Sequence, residues 1–478
     1  MLWLYGVEQT VVYDICYPGN VVVAGCGFNI VEITQIMKIG FIAMSGVRAY
    51  NQELMKHGLT LPGFVERSKV IASMPSLSLL TLAALTPKDI EVEYKEINDL
   101  KAEKSLPDDY DLVAISSFSA QIYEAYELAG HYQKKGIKVV MGGLHVSVLP
   151  GEAKHHCTSV VIGEGEMSWP RVIEDFRRGQ LKEYYHWQPG ETFDMALTPV
   201  PRYELLDISR YNRLTAQTSR GCPHRCDFCA SSILITHTYK VKPVESIINE
   251  IRFIKSMWEE PFIEFADDNS FVVRNHTEEF LRLLINEGIH WFTEIDISIA
   301  EYPGLLELMQ KSGCRQVLIG LESPHAEGVN HIELRSNWKK DKFQHYEGAI
   351  HEIQSHGIAV NGCFILGLDG DTEQIFDRVY EFVDRTGLFE AQITVLTPFP
   401  GTPLYHRLRN EGRIVEDAAW QKCTLFDVNY IPKQMSLEAL EKGIFELSKR
   451  IYDKSFIEER QRRFFRNLRH RKSQGSLN

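Results

Sequence analysis

Two kinds of hydrophobic pattern alternate along residues 37–200. Apolar runs of strand length, such as KIGFIAM at 38–44 and LVAISS at 112–117, are separated by stretches with helical periodicity, such as AQIYEAYELAGHYQKK at 120–135. Strands that alternate with helices are typical of a parallel sheet with crossover helices on its faces. The pattern therefore predicts an α/β fold class, with a doubly wound, Rossmann-like domain over residues 37–200.

A second series of strand and helix patterns follows a Pro-containing connector and ends near residue 410. It contains six strand-like runs, of which the second is IEFADDN at 263–269 and the fourth is QVLIGLES at 316–323. All except the sixth are followed by a helical pattern. Six parallel strands with outer helices predict a partial (β/α)6 barrel over residues 201–410, with its active site at the carboxyl ends of the strands.

The two ends of the chain follow neither series. We interpret residues 1–36 as an N-terminal extension, which a misassigned start codon would explain. Its VVVAGCGFNI segment is similar to a dinucleotide-binding G-x-G-x-x-G turn but has Ile30 in place of the third glycine. Residues 411–478 are predicted to form a mostly helical C-terminal region. Its basic stretch ERQRRFFRNLRHRK is interpreted as a solvated helix end, with contact to nucleic acid or an anionic surface as the alternative.

Charge and composition narrow the functional classes. The 478 residues carry a formal net charge of −12, so the chain lacks the basic field that nucleic-acid binding needs, and we expect no nucleic-acid partner. No stretch reaches the roughly 18 consecutive apolar residues that span a bilayer. The first 37 residues contain no Lys or Arg, whereas a secretory signal begins with a basic region. We therefore predict a cytoplasmic protein without a transmembrane segment.

Three of the nine cysteines lie within eight residues, in TSRGCPHRCDFCA. Cys222, Cys226 and Cys229 have the spacing C-x3-C-x2-C, on the loop that follows the first predicted barrel strand. Three thiolates on a four-iron cubane leave one iron open for another ligand. The alternative is a structural zinc site with His224 or a remote residue as fourth ligand, but the sequence has no second ligand pair nearby.

The other six cysteines are scattered and are predicted to be small buried hydrophobic residues. They are Cys16, Cys26, Cys157, Cys314, Cys363 and Cys423.

The three-cysteine motif, the aromatic Phe228 before its last cysteine and the six strand–helix repeats resemble the radical S-adenosylmethionine (radical SAM) superfamily. This resemblance implies a [4Fe–4S] cluster whose open iron holds S-adenosylmethionine. Reductive cleavage would then give a 5′-deoxyadenosyl radical that abstracts a substrate hydrogen, while the barrel excludes water. A flavodoxin-type or ferredoxin-type electron donor is implied as a partner.

The same resemblance implies residues that contact S-adenosylmethionine, each near the cluster or at the end of a barrel strand. Asp267 is an alternative to Asp268 as the carboxylate that faces the cofactor or substrate. An Asp–Asn turn would explain both aspartates without such a contact. Glu322 could instead form a structural ion pair. Gly367 would give space for the adenine, and no catalytic acid or base is assigned. The implied contacts are Phe228, Asp268, Glu322, Ser323 and Gly367.

An α/β domain before the barrel resembles the cobalamin-binding radical SAM proteins, among them the hopanoid methylases and the anaerobic cyclase of bacteriochlorophyll synthesis. Small residues at strand ends would let a large flat molecule approach the backbone, although ordinary loops also favour Gly and Ser. No D-x-H-x-x-G motif surrounds His145, so we expect no histidine ligand to cobalt. The implied cobalamin contacts are Ser116, Ser117, Gly142, Gly143, Gly163, Glu164 and Gly165.

Together these features predict a cobalamin-dependent radical SAM enzyme, with C-methylation of an unactivated carbon as the leading reaction. The substrate would be a small molecule or a molecule of lipid or tetrapyrrole type, with peptides and antibiotic precursors as alternatives. Radical cyclisation or rearrangement is the second hypothesis. A methylthiotransferase would need three more cysteines in the N-terminal domain, where only Cys157 lies between residues 37 and 183. A non-catalytic cobalamin or iron–sulfur sensor is the remaining alternative.

Overall fold

The structure is a computed structural model. It describes residues 20–23, 31–34, 36–44, 46–57, 74–186, 191–234 and 238–473. The glycine turn at 24–30, Cys16 and Cys26 lie outside these residues. At the N-terminus, β1 (Asn20–Val23) pairs with β2 (Val31–Thr34) in an antiparallel hairpin. No helix in the described part of the chain is long and apolar enough to cross a membrane.

Six parallel strands form the N-terminal sheet, in the order β4-β3-β5-β6-β7-β8. The strands are β3 (Lys38–Met44), β4 (Glu91–Glu96), β5 (Leu112–Ser117), β6 (Lys138–Gly142), β7 (Ser159–Val161) and β8 (Tyr184–Tyr185). The helices are α1 (Gln52–Lys56), α2 (Leu77–Leu85), α3 (Ile122–Lys134), α4 (Leu144–Val148), α5 (Pro150–Lys154) and α6 (Gly165–Arg177). The chain first places β4 on one side of β3 and then places β5 on the other side. A topological switch point therefore lies beside β3.

Alternate residues of β3 explain why this sheet is covered on both faces. Phe41 belongs to one apolar core, which includes Trp169 of α6. Ile42 belongs to a second core, which includes Leu128 of α3. Because successive strand residues point to opposite faces, an uninterrupted apolar run is what two buried faces require. The predicted doubly wound domain is confirmed.

The six-stranded barrel sheet is entirely parallel, in the order β9-β12-β13-β14-β15-β16. Its elements begin with β9 (Leu214–Ala216), the short hairpin β10 (Ser219–Arg220) and β11 (Lys240–Val241), and α7 (Ala230–Leu234) between them. The strand–helix units that follow are α8 (Val244–Met257), β12 (Phe262–Phe265), α9 (Arg274–Leu284), β13 (His290–Glu294), α10 (Pro303–Lys311), β14 (Cys314–Glu322), α11 (Trp338–Phe343), α12 (Tyr346–Ser355), β15 (Ala359–Leu366), α13 (Ile375–Thr386) and β16 (Glu390–Val395). The strands follow one another in chain order, as predicted for a partial (β/α)6 barrel.

The C-terminal region contains α14 (Pro403–Asn410), α15 (Leu437–Ile451) and α16 (Lys454–Ser473). Between α14 and α15 the described chain forms turns and one 3-10 segment, stabilised by a bridge between Ile414 and Tyr430. The expected helix therefore begins only at Leu437.

The basic stretch lies on α16, and only part of it is solvated. Arg460 is buried, and Arg463 pairs with Asp384 at 2.9 Å. Arg462 and Arg466 are exposed. Arg463 thus attaches the helix to α13 of the barrel, whereas Arg460 donates to the Ile451 carbonyl of α15 at 3.1 Å.

Candidate functional site

The three cysteines of the motif lie on one loop beyond the carboxyl end of β9. Cys226 is buried, and Cys222 and Cys229 are half-buried; no described cysteine forms a disulfide. The loop pairs with the segment after β14, since the Asp227 N–H donates to the Ile332 carbonyl and the Leu334 N–H to the Arg225 carbonyl, both at 2.8 Å. The segment that follows the fourth barrel strand therefore helps to fix the cysteine loop.

The two aspartates after β12 hold the beginning of this loop. Asp268 accepts from the Gly221 N–H at 2.6 Å and from the Ser231 hydroxyl, so one carboxylate joins both sides of the cysteines. Asp267 is buried and accepts from the Ser219 N–H at 3.0 Å. Both carboxylates position the loop, and contact of Asp268 with S-adenosylmethionine stays a prediction.

Burial makes the free thiolates unfavourable. It raises the pKa of Cys222 to about 11, against the opposing effect of an Asn269 N–H that donates to its sulfur at 3.7 Å. The pKa of Cys226 is also raised by burial. A bound cation that attracts thiolate would reverse this penalty. The donor set therefore fits a cationic iron–sulfur group.

His224 binds carboxylates. Its Nε2 lies 3.4 Å from Asp296 and its Nδ1 lies 3.5 Å from Glu333, with the Trp338 ring 4.2 Å away between centroids. Burial lowers its pKa, but the two carboxylates outweigh burial and raise it overall. In the described part of the chain, no three His, Cys, Asp or Glu side chains converge on one metal ion. His224 is therefore engaged by the carboxylates of Asp296 and Glu333 and does not stand as a fourth ligand beside the three thiols in this arrangement.

Glu322 forms the ion pair that the sequence left as an alternative to a cofactor contact. Lys339 of α11 donates to the Glu322 carboxylate at 2.6 Å and to the Gly320 carbonyl at 2.8 Å, and both side chains are buried. Glu322 has φ 61°, in the left-handed region, which costs on the order of 1–3 kcal/mol for a residue with a side chain. Lys339 holds the Glu322 side chain in place, and no sequence motif pointed to Lys339.

The surroundings of Gly367 explain why it is a glycine, whereas the described surroundings of Ser323 leave its hydroxyl without a partner. The Ser323 hydroxyl is buried and has no hydrogen-bond partner among the described residues. Gly367 has φ 85°, and a Cβ there would lie 2.0 Å from the Tyr430 hydroxyl, which donates to the Gly367 carbonyl at 2.8 Å. The left-handed backbone and the close approach of Tyr430 therefore explain the glycine without a bound adenine. Phe228 is half-buried and packs on the barrel core.

Glu294 is a lumen residue that sequence reasoning missed. Its side chain is accessible to solvent, although protein surrounds it, and its carboxyl makes no hydrogen bond or ion pair with another described residue. Burial, followed by repulsion from Glu264 and Asp268, raises its pKa to about 8. The period-2 alternation of WFTEIDIS would have placed Glu294 opposite to buried Trp291 and Thr293.

Cys363 shares this lumen. It is half-buried, and Glu322 and Glu294 add to the effect of burial in raising its pKa. The prediction of a buried cysteine is therefore wrong here, because the alternation of β15 turns Cys363 to the lumen face. It is confirmed for Cys157, Cys314 and Cys423.

The predicted cobalamin contacts lie together at the carboxyl edge of the N-terminal sheet. Ser116 and Ser117 end β5, Gly142 and Gly143 end and follow β6, and Gly163 to Gly165 follow β7. Gly143 has φ 102°, a conformation that side chains rarely adopt. This edge is where open α/β sheets bind ligands. Their contact with cobalamin stays a prediction.

His145 lies at this edge but is already engaged. Its Nδ1 is 3.1 Å from the Ser119 hydroxyl and its Nε2 is 3.2 Å from Glu152, and the ring is buried. Both ring nitrogens have partners, so His145 is not available to cobalt in this arrangement, in agreement with the missing motif. Glu164 is engaged as well, through Arg220 and Lys240 of the barrel.

Two family models match this chain. Residues 217–383 match the radical SAM superfamily. Residues 402–478 match a domain of unknown function, DUF4070.

Several curated proteins are similar over most of the chain. The bacteriochlorophyllide d C-12(1)-methyltransferase of Chlorobaculum tepidum is 28% identical over 81% of this chain and 84% of that protein. The hopanoid C-2 methylase of Rhodopseudomonas palustris is 27% identical over 73% of this chain and 67% of the methylase. The anaerobic magnesium-protoporphyrin IX monomethyl ester cyclase of Rubrivivax gelatinosus is 23% identical over 75% of this chain and 66% of the cyclase.

Among solved structures, the chain is similar to the radical S-adenosylmethionine methyltransferase TsrM of Kitasatospora setae, with cobalamin and a [4Fe–4S] cluster bound. The TM-score is 0.58 at 14% identity, over 79% of this chain and 75% of that chain. At this identity the likeness concerns the fold.

Proposed function

Residues 217–383 form a radical SAM domain, and from this premise we propose that the protein is a cobalamin-dependent radical SAM methyltransferase. The observation that carries the proposal is the placement of the three-cysteine loop. It lies at the carboxyl end of the barrel and is tied by Arg220 and Lys240 to the loop after β7, at the carboxyl edge of a doubly wound sheet. The two edges that we propose to bind the cofactors therefore adjoin each other in one chain.

Each group would be held by residues already described. Cys222, Cys226 and Cys229 would hold the cluster, and the buried unpaired Ser323 hydroxyl is a donor for S-adenosylmethionine beside Glu322. When bound, the cluster and S-adenosylmethionine supply one-electron cleavage to a 5′-deoxyadenosyl radical, and cobalamin supplies a transferable methyl group. Glu294 would contact the substrate from the lumen wall. With cofactors and substrate bound, the barrel walls would exclude water from the site.

The relatives support a substrate of tetrapyrrole or lipid type, because the proteins named for bacteriochlorophyllide and hopanoid methylation match most of the chain. A flavodoxin-type or ferredoxin-type protein is proposed as the electron donor. Free thiols suited to a cluster fit a reducing compartment, so the cytoplasm remains our expectation for its location.

Labelled methyl transfer tests this function. The reconstituted holoenzyme would be incubated anaerobically with reductant, methyl-deuterated S-adenosylmethionine and a small-molecule extract of the native cells. We expect a product with the labelled methyl group, together with S-adenosylhomocysteine and 5′-deoxyadenosine. Product formation at the same rate without cobalamin would contradict the proposal.

Cyclisation is the second candidate, because the chain also matches the anaerobic cyclase named above. It predicts 5′-deoxyadenosine and an unmethylated product, without S-adenosylhomocysteine. The same labelled incubation therefore separates the two reactions.

A further inference from the structure

The cysteine loop leaves and rejoins the barrel through two short paired strands of two residues each, β10 and β11. Ser219 and Arg220 of β10 pair antiparallel with Val241 and Lys240 of β11, and Arg220 stands opposite Lys240. The chain between them carries all three cysteines. Two cationic side chains thus mark the two stems of the loop.

Both cations bind one carboxylate of the N-terminal domain. Arg220 pairs with Glu164 at 2.5 Å, and Lys240 pairs with the same carboxylate at 2.7 Å. Glu166 adds a second contact to Arg220 at 2.8 Å. Glu164 and Glu166 belong to the loop that joins β7 to α6 and to its first turn. One glutamate therefore joins the entry and the exit of the cysteine loop to the edge of the N-terminal sheet.

This network is shielded from solvent. The four side chains expose between 7% and 15% of their surface, and two positive charges balance two negative charges. Burial would raise the pKa of Glu164, but Lys240 and Arg220 outweigh burial and lower it. A buried network of this kind holds its geometry tightly, because removal of one member leaves uncompensated charge behind.

We propose that Glu164 is a positioning residue that fixes the cysteine loop against the N-terminal sheet and so sets the separation of the two cofactors. This inference rests on the proposed function. Methyl transfer after hydrogen abstraction requires one substrate carbon to be within reach of both groups. A displacement of about 1 Å in such a site can lower the rate by about 10²-fold. In this role the Glu164 carboxylate acts through the cysteine loop that it holds.

Two measurements on Glu164→Gln test the proposal. In holoenzyme, pulsed dipolar spectroscopy between the reduced cluster and cob(II)alamin reports the distance between the two groups. In the chain without cofactors, hydrogen exchange of residues 218–241 reports the order of the loop. We expect a broader or shifted distance distribution and faster exchange in Glu164→Gln. Arg220→Lys, which keeps the charge, should change both readouts less than Arg220→Met.

Asp427→Asn is the matched control. Asp427 also joins the C-terminal region to the N-terminal domain, through the Tyr50 and Asn51 N–H groups at 2.8 and 2.7 Å, but among the described residues it makes no contact with the cysteine loop. It should leave both readouts at the wild-type values. Unchanged distances and exchange in Glu164→Gln, or equal changes in both variants, would overturn the proposal. A wild-type protein that binds iron without cobalt would contradict the proposed function instead, and hydrogen exchange would then decide the role of Glu164.

Discussion

Cys226 is the buried cysteine of the motif, and because burial raises its pKa, its thiolate depends on a bound cation. We expect Cys226→Ala to abolish cluster assembly and cleavage of S-adenosylmethionine, while cobalamin binding is largely retained because that edge lies on the other sheet. Iron analysis and visible spectra after anaerobic reconstitution measure both. Cys423→Ala, which removes a buried cysteine outside the motif, should keep the cluster. Loss of cobalamin together with iron in Cys226→Ala would contradict the division into two cofactor domains.

Lys339 compensates a buried carboxylate next to the cluster loop. Lys339→Met should lower the free energy of unfolding by about 3–5 kcal/mol, since Glu322 is left unpaired in a buried site. Denaturant unfolding measures this change. The exposed pair Arg178 and Glu174 is the comparison, and Arg178→Met should lower the same quantity by no more than about 0.5 kcal/mol. An equal effect of the two substitutions would show that Glu322 does not depend on Lys339.

Glu294 should make stability depend on pH. Because its pKa is raised to about 8 in the folded chain and lies near 4.3 when unfolded, the folded state binds the extra proton between these values. The contribution of this proton to the free energy of unfolding is complete below the unfolded pKa. It is lost as pH rises through the folded pKa of about 8. Glu294→Gln cannot ionise. Denaturant unfolding at several pH values should therefore show the variant gaining stability relative to wild type up to about pH 8, and a constant difference would contradict this assignment.

At the scale of elements, the turn after β15 depends on a residue without a side chain. Gly367→Ala forces a left-handed φ on alanine, which costs on the order of 1–3 kcal/mol, and its Cβ would overlap the Tyr430 hydroxyl. We expect a lower melting temperature and disorder of this turn. Gly130→Ala in α3, where a Cβ meets nothing within 4 Å, should instead stabilise the protein by about 0.4–1 kcal/mol. The opposite order of melting temperatures would contradict this account.

Most strands and helices follow from the local hydrophobic pattern, whereas the partners of their charged side chains do not. The uninterrupted apolar run at β3 predicted a sheet buried on both faces, and IGLES predicted a strand that ends at Glu322. Lys339 binds Glu322 from 17 residues further along the chain, and nothing in its own neighbourhood signals that contact. Ion pairs between distant segments depend on the folded arrangement, which a local pattern does not contain.

The same limit applies to Glu164. Its place after β7 correctly predicted the sheet edge, but its partners Arg220 and Lys240 lie on another domain. Within the C-terminal region, which was predicted to be mostly helical, the stretch between α14 and α15 forms turns. There Asp427 bonds the Tyr50 and Asn51 N–H groups of the N-terminal domain at 2.8 and 2.7 Å, so tertiary contacts determine its shape.

At the scale of the whole molecule, these contacts join the doubly wound domain to the barrel on more than one side. The Glu164 network ties the cysteine loop, and Asp427 and Trp420 tie the C-terminal region to the same domain. A substrate held between two such edges would be reached by both cofactors at once. The central claim is therefore that one chain binds both a [4Fe–4S] cluster and cobalamin and cleaves S-adenosylmethionine.

Anaerobic reconstitution with iron, sulfide and hydroxocobalamin, followed by metal analysis and product detection with S-adenosylmethionine and reductant, tests that claim most directly. We predict about four irons and about one cobalt per chain, with 5′-deoxyadenosine formed only in the presence of reductant. A protein that takes up zinc in place of the cluster, or that binds cluster and cobalamin but never cleaves S-adenosylmethionine, would contradict it.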